Sequence, residues 1–135
     1  MVGLDRFEQR QVGERQMNRI LLREREKKGK IVLKVGCLNV RGMCSEIKKK
    51  EIEMMCEERT LDLIALGETK VKGKGELDLG SYKGFYSGVN ERVRGREGVA
   101  IMMKEDLWQC VAEVSYTSSR IMWVKLKLGY ETWDL

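Results

Sequence analysis

An amide and a carboxylate stand at the far ends of two apolar runs in this sequence, Asn39 after IVLKVGCL and Glu68 after LDLIALG. A carboxylate beside an amide suits a hard cation such as Mg2+, with Mn2+ as a substitute. Such an ion takes oxygen ligands and keeps several waters that a phosphate can displace. Two plainer roles fit the same residues: Asn39 making a turn hydrogen bond, and Glu68 being a solvated charge at a strand end. Which pair of roles applies depends on whether the elements between them bring the two side chains together.

Those elements read as strand, helix, strand. Ile31 to Val40 is rich in Val, Leu and Ile and runs into Arg41-Gly42, where glycine lets the backbone turn. Ser45 is placed to cap a helix that reaches about Arg59, with no Gly or Pro in the segment and with Ile52, Met55 and Cys56 at helical spacing. Leu61 to Leu66 is a short apolar run of the kind found in strands covered on both faces, and it ends at Gly67-Glu68-Thr69-Lys70. In a right-handed βαβ unit the two strands are parallel, so their carboxyl ends share one edge of the sheet, the edge where open α/β sheets place ligands. Asn39 and Glu68 are therefore expected to meet.

Downstream, Thr69 to Glu76 is a loop with Lys70, Lys72 and Lys74 at alternate positions, which an extended chain would aim in one direction near Glu68. Tyr82 to Val89 and Gly98 to Met103 read as two strands of a hairpin, and the turn between them, Asn90 to Glu97, carries Arg92, Arg94 and Arg96. Guanidinium forks pair well with phosphate oxygens, so both loops are candidates for nucleic-acid contact. The alternatives are solvated loops, and arginines paired with Glu91 and Glu97. Trp108 to Tyr116 alternates well enough for a strand. Arg120 to Leu128 alternates better, with Met122, Val124, Leu126 and Leu128 on its core side, and Glu131 to Leu135 reads as the start of one more strand.

With 135 residues and 42% hydrophobic content the chain is long and apolar enough for a packed domain. The net charge of +5 sits mainly in residues 1–30, a charged arm expected to be disordered, where nine Lys or Arg face five Asp or Glu. Basic tails favour polyanions, although many only keep a chain soluble. The four cysteines, Cys37, Cys44, Cys56 and Cys110, lack C-x-x-C spacing and the sequence contains no histidine, which argues against a zinc site and for free thiols. Cys37 and Cys56 lie inside apolar elements, where burial is expected. No secretory signal is legible and the apolar runs are too short to span a bilayer, so an intracellular home, nuclear or cytoplasmic, is expected.

LNVRGM and ALGETKVKGKGE, followed at similar intervals by SYKGFYSGV, REGVAIMM and SSRIMWVKLKLG, resemble the endonuclease/exonuclease/phosphatase (DNase I-like) family, and within it the retrotransposon-type endonuclease domains often labelled craniofacial development protein-like. The resemblance covers residues 31–135 almost continuously. It implies an α+β fold, the first half of a four-layer α/β sandwich with a mixed sheet and a βαβ start. It also implies a Mg2+-dependent phosphodiesterase acting on nucleic acid, DNA more than RNA, with Asn39 and Glu68 in the active site. The family's later tyrosine, its Asp-x-Asn pair and its C-terminal Asp-His pair have no counterparts here. A truncated domain without activity of its own is therefore expected, with an uncovered sheet open to self-association; the alternative is a non-enzymatic remnant that binds nucleic acid or a protein partner.

Overall fold

The computed structural model describes residues 32–129 and the backbone of residues 131–134. The charged arm, residues 1–30, and the expected strand start at Ile31 lie outside the described residues. The chain is α+β. A mixed five-stranded sheet runs in the order β1-β2-β5-β4-β3, and a second sheet runs β6-β7-β8. The first contains β1 (Val35–Asn39), β2 (Leu63–Gly67), β3 (Lys74–Asp78), β4 (Tyr82–Ser87) and β5 (Val99–Lys104). The second contains β6 (Val111–Tyr116), β7 (Met122–Leu128) and β8 (Glu131–Asp134).

Helix α1 (Glu46–Glu58) joins β1 to β2, which are parallel as the crossover requires. Its start is set by Ser45, whose hydroxyl accepts the Lys48 N–H at 3.2 Å. The expected hairpin is present: β4 and β5 pair antiparallel, Ser87 opposite Val99. In β7 the even-numbered face is the core side, with Val124, Leu126 and Leu128 buried.

The alternation of the strands divides the core into two layers. Ile64, Leu66, Tyr82, Ala100 and Met102 face α1, where they meet Ile52 and Cys56. Leu63, Phe85, Ile101 and Met103 face the second sheet and meet Val114, Val124 and Leu126. Phe85 stacks on Trp108 with ring centroids 4.9 Å apart, and such a pair contributes about 0.5–1.5 kcal/mol beyond the area it buries. The central strands β2, β5 and β4 are thus covered on both faces, whereas on the edge strand β1 Val35 and Cys37 are exposed.

Three expectations need correction. Lys74 belongs to a strand and not to the loop: β3 pairs with β4 through Leu77 opposite Gly84, and the glycine-spaced lysines hid that partner. Trp108 closes a short helix α2 (Glu105–Trp108), whose first turn carries Glu105 and Asp106, residues that suit a helix start, and Trp108 is buried. Cys37 is exposed, since β1 is an edge strand whose inward-facing residues lack a covering layer; of the four free thiols only Cys56 is buried, and burial pushes it up to about 11.

One polar cluster ties α1 to the β3–β4 turn. Glu53, buried on the helix, accepts the Ser81 N–H at 2.7 Å, the Ser81 hydroxyl at 3.0 Å and the Lys50 ammonium at 2.8 Å. The Lys50 hydrogen bond first, and then the Ser81 N–H, hold its carboxyl below the usual carboxylate range. A depressed folded-state value means the contribution is present above the unfolded value and is lost as pH falls through the folded one. Glu53→Ala should therefore cost roughly 1–2 kcal/mol at neutral pH, and the difference from the parent should shrink in acid below the ordinary Glu range. Urea melts at neutral and acid pH check this; a difference independent of pH would count against the carboxylate as its cause.

Candidate functional site

Register places one row of residues across all five strands of the first sheet: Asn39, Gly67, Val99, Ser87 and Lys74. Asn39 faces Gly67, so Glu68 is the next residue along the neighbouring strand, and the expected meeting of the two segments takes place at this edge. Both residues are exposed. Asn39 does make the turn hydrogen bond, its Oδ1 accepting the Arg41 N–H at 3.2 Å. That bond identifies the amide oxygen and leaves Nδ2 as a donor. Among the described residues the Glu68 carboxylate makes no hydrogen bond or ion pair.

Beyond the row, the three loops at this edge are laced together through their backbones. Gly42 N–H donates to Glu68 O at 2.7 Å and Met43 N–H to Thr69 O at 2.9 Å, while Thr69 N–H donates to Gly98 O at 3.1 Å and Lys70 N–H to Glu97 O at 2.7 Å. The same edge holds Arg41, Glu68, Lys70 and Glu97, all with left-handed backbones at φ of 52°, 51°, 59° and 55°. Among the described non-glycine residues only Thr60 otherwise has a positive φ. Each such conformation costs about 1 kcal/mol or more and persists only where surrounding contacts impose it, which is a pattern concentrated at functional sites.

The two basic loops are neighbours. Gly73 N–H donates to Val89 O at 2.8 Å, Gly88 N–H donates to Gly73 O at 2.7 Å, and the Lys72 side chain lies against Gly95. Lys70, Lys72, Arg92, Arg94 and Arg96 are exposed, as is Lys74 at the start of β3, and none forms an ion pair among the described residues. The three lysines do not lie on one extended loop, because Lys70 has a left-handed backbone and Lys74 opens β3.

The sequence offered Glu97 as a partner for the arginines of its own loop. Its carboxylate instead accepts the Ser119 hydroxyl at 2.6 Å and Arg120 at 2.8 Å, which holds it below the usual carboxylate range and anchors the arginine loop to the β6–β7 turn. Arg41 and Arg120 belong to this edge and were missed. Arg41 carried a signal, its place beside Asn39, whereas nothing local marks Arg120. The amino end of α1 also lies here, adding its partial positive charge.

The chemistry here amounts to one exposed carboxylate, Glu68, of the kind that holds a largely hydrated Mg2+ together with a substrate phosphate. No set of three His, Cys, Asp or Glu side chains able to hold a metal gathers among the described residues, so the donor set does not fit a transition metal needing a full protein cage. No protein-family model matches the chain, and no curated protein matches it.

Proposed function

We propose that this chain is the metal- and phosphate-holding half of a Mg2+-dependent endonuclease of the DNase I-like family, one that grips nucleic acid by its backbone and lacks the groups that activate water. The observation that supports this reading is the edge itself, where Asn39 ends β1 opposite Gly67 and Glu68 follows on an imposed, left-handed backbone, beside cations that make no ion pairs among the described residues. The family resemblance of LNVRGM and ALGETKVKGKGE adds to it.

In this reading Glu68 supplies the carboxylate oxygen that would hold the ion, and Asn39, whose Oδ1 also accepts the Arg41 N–H, orients the metal site or the scissile phosphate. Bound Mg2+ would supply charge stabilisation for a developing negative phosphate. Lys70 and Lys72 draw the backbone to the edge, and Arg92, Arg94 and Arg96 engage phosphates further along it, DNA before RNA. Binding without catalysis is the second reading, favoured by the same unpaired cations and by the absence of histidine.

Manganese uptake by the full chain tests the site. Parent protein should bind Mn2+ weakly and Glu68→Ala should abolish that binding, while Asn39→Ala weakens it. Equal uptake by parent and Glu68→Ala would overturn the assignment.

A further inference from the structure

We propose that Thr69 is a positioning residue that aims the Glu68 carboxylate, an inference that rests on the reading of Glu68 as the metal-holding group. Thr69 is fully buried, yet it lies between two exposed charged residues, Glu68 and Lys70, whose backbones are both left-handed. A segment with that alternation would relax to ordinary dihedrals if its middle residue were released.

Three contacts prevent the release. On one side the Thr69 N–H donates to Gly98 O, and on the other its carbonyl accepts the Met43 N–H, so the residue is stitched to both flanking loops. Its hydroxyl accepts the Val71 N–H at 3.3 Å, which fixes the chain beyond Lys70 and seats Val71 against the core layer under α1. Finally, Gly98 presents no side chain, and a Cβ there would collide with Thr69 Oγ1; its own φ of +99° also favours glycine. Thr69 Oγ1 thus fills the space that Gly98 leaves open. The hydroxyl touches neither the ion site nor a phosphate, so its effect on chemistry passes through the direction given to Glu68. Residues that orient a metal-holding group in this way typically change affinity without being ligands.

The test uses the full chain, Mn2+ followed by the electron-spin signal of the free ion, and Tb3+ luminescence lifetimes in H2O and D2O to count coordinated waters. Thr69→Val keeps the shape and loses the acceptor for Val71. It should bind Mn2+ about 10-fold more weakly than the parent, and its bound Tb3+ should gain coordinated water. Thr69→Ser retains the hydroxyl and should bind as the parent does. A folded Thr69→Val with parental Mn2+ affinity and Tb3+ hydration, alongside a Glu68→Ala that has lost binding, would overturn the positioning role and leave the site reading intact. Parental binding by Glu68→Ala would instead defeat the site reading, and the proposal with it. Should Thr69→Val fail to fold, Thr69→Ser decides: a tenfold loss there overturns the role given to the hydroxyl.

Discussion

Raising salt from 50 to 200 mM should weaken the chain's grip on duplex DNA steeply, and should do so much less once Arg92, Arg94 and Arg96 are replaced by alanine. Each phosphate neutralised releases counterions and contributes about −0.9 to the slope of log affinity against log salt. Three lost contacts flatten the slope by about 2.7, so across that fourfold change in salt the parent should lose about 40-fold more affinity than the triple variant. The magnitude rests on the loop being held ready. Its base is anchored by Glu97 to Ser119 and Arg120, and the Asn90 Oδ1 accepts the Arg92 N–H at 3.0 Å within the turn. Little ordering is then charged against binding, whereas a floppy loop would lose part of the gain to entropy. Removing residues 1–30, with their net +4, should flatten the slope further. Lys83→Ala makes the control, since Lys83 lies toward the opposite edge, 3.8 Å from Glu105. Affinity measured by fluorescence anisotropy that ignores salt, or a triple variant with the parental slope, would remove the electrostatic account.

How the sequence announces this edge differs from residue to residue. Asn39 and Glu68 could be brought together on paper because a βαβ unit permits one handedness, and because Ser45 and the apolar positions of α1 mark the crossover plainly. The β4–β5 hairpin and the buried face of β7 follow from alternation in the same way. What failed to appear did so for physical reasons. β3 is short, begins at Lys74 and lies at the sheet margin, so few of its side chains need burial and its hydrophobic pattern is weak. Cys37 looked buried because its neighbours are apolar, but burial also requires a covering layer, and none lies over that part of β1. The left-handed backbones of Arg41, Glu68, Lys70 and Glu97 leave no local trace, since they are imposed by hydrogen bonds from loops distant in sequence. Glu97 illustrates the limit best: charge spacing offered it to Arg92, Arg94 and Arg96, and the fold gave it to Arg120.

Purified 135-residue chain should not nick supercoiled plasmid in Mg2+ or Mn2+ above the level of its own Glu68→Ala variant. Nicking needs a positioned phosphate, a charge-stabilising ion and an activated water, and general-base help alone is commonly worth about 10²- to 10⁴-fold in rate. The chain has no histidine to act as that base. Of the carboxylates at the edge, Glu68 is committed to the ion in this reading. Glu97 is held by Ser119 and Arg120 below the usual carboxylate range, which makes it a weaker base than an ordinary glutamate. The Cys44 thiol, 3.5 Å from the Lys70 carbonyl, is likewise engaged as a donor. On the DNase I-like reading proposed above, a longer chain that supplies a tyrosine, an Asp-x-Asn pair and an Asp-His pair in frame should nick, and should lose roughly 10²-fold or more on Glu68→Ala or Asn39→Ala. Nicking by the short chain that vanishes in Glu68→Ala would show a base to be present after all while supporting the site. An active long form indifferent to both substitutions would place the chemistry elsewhere in the molecule.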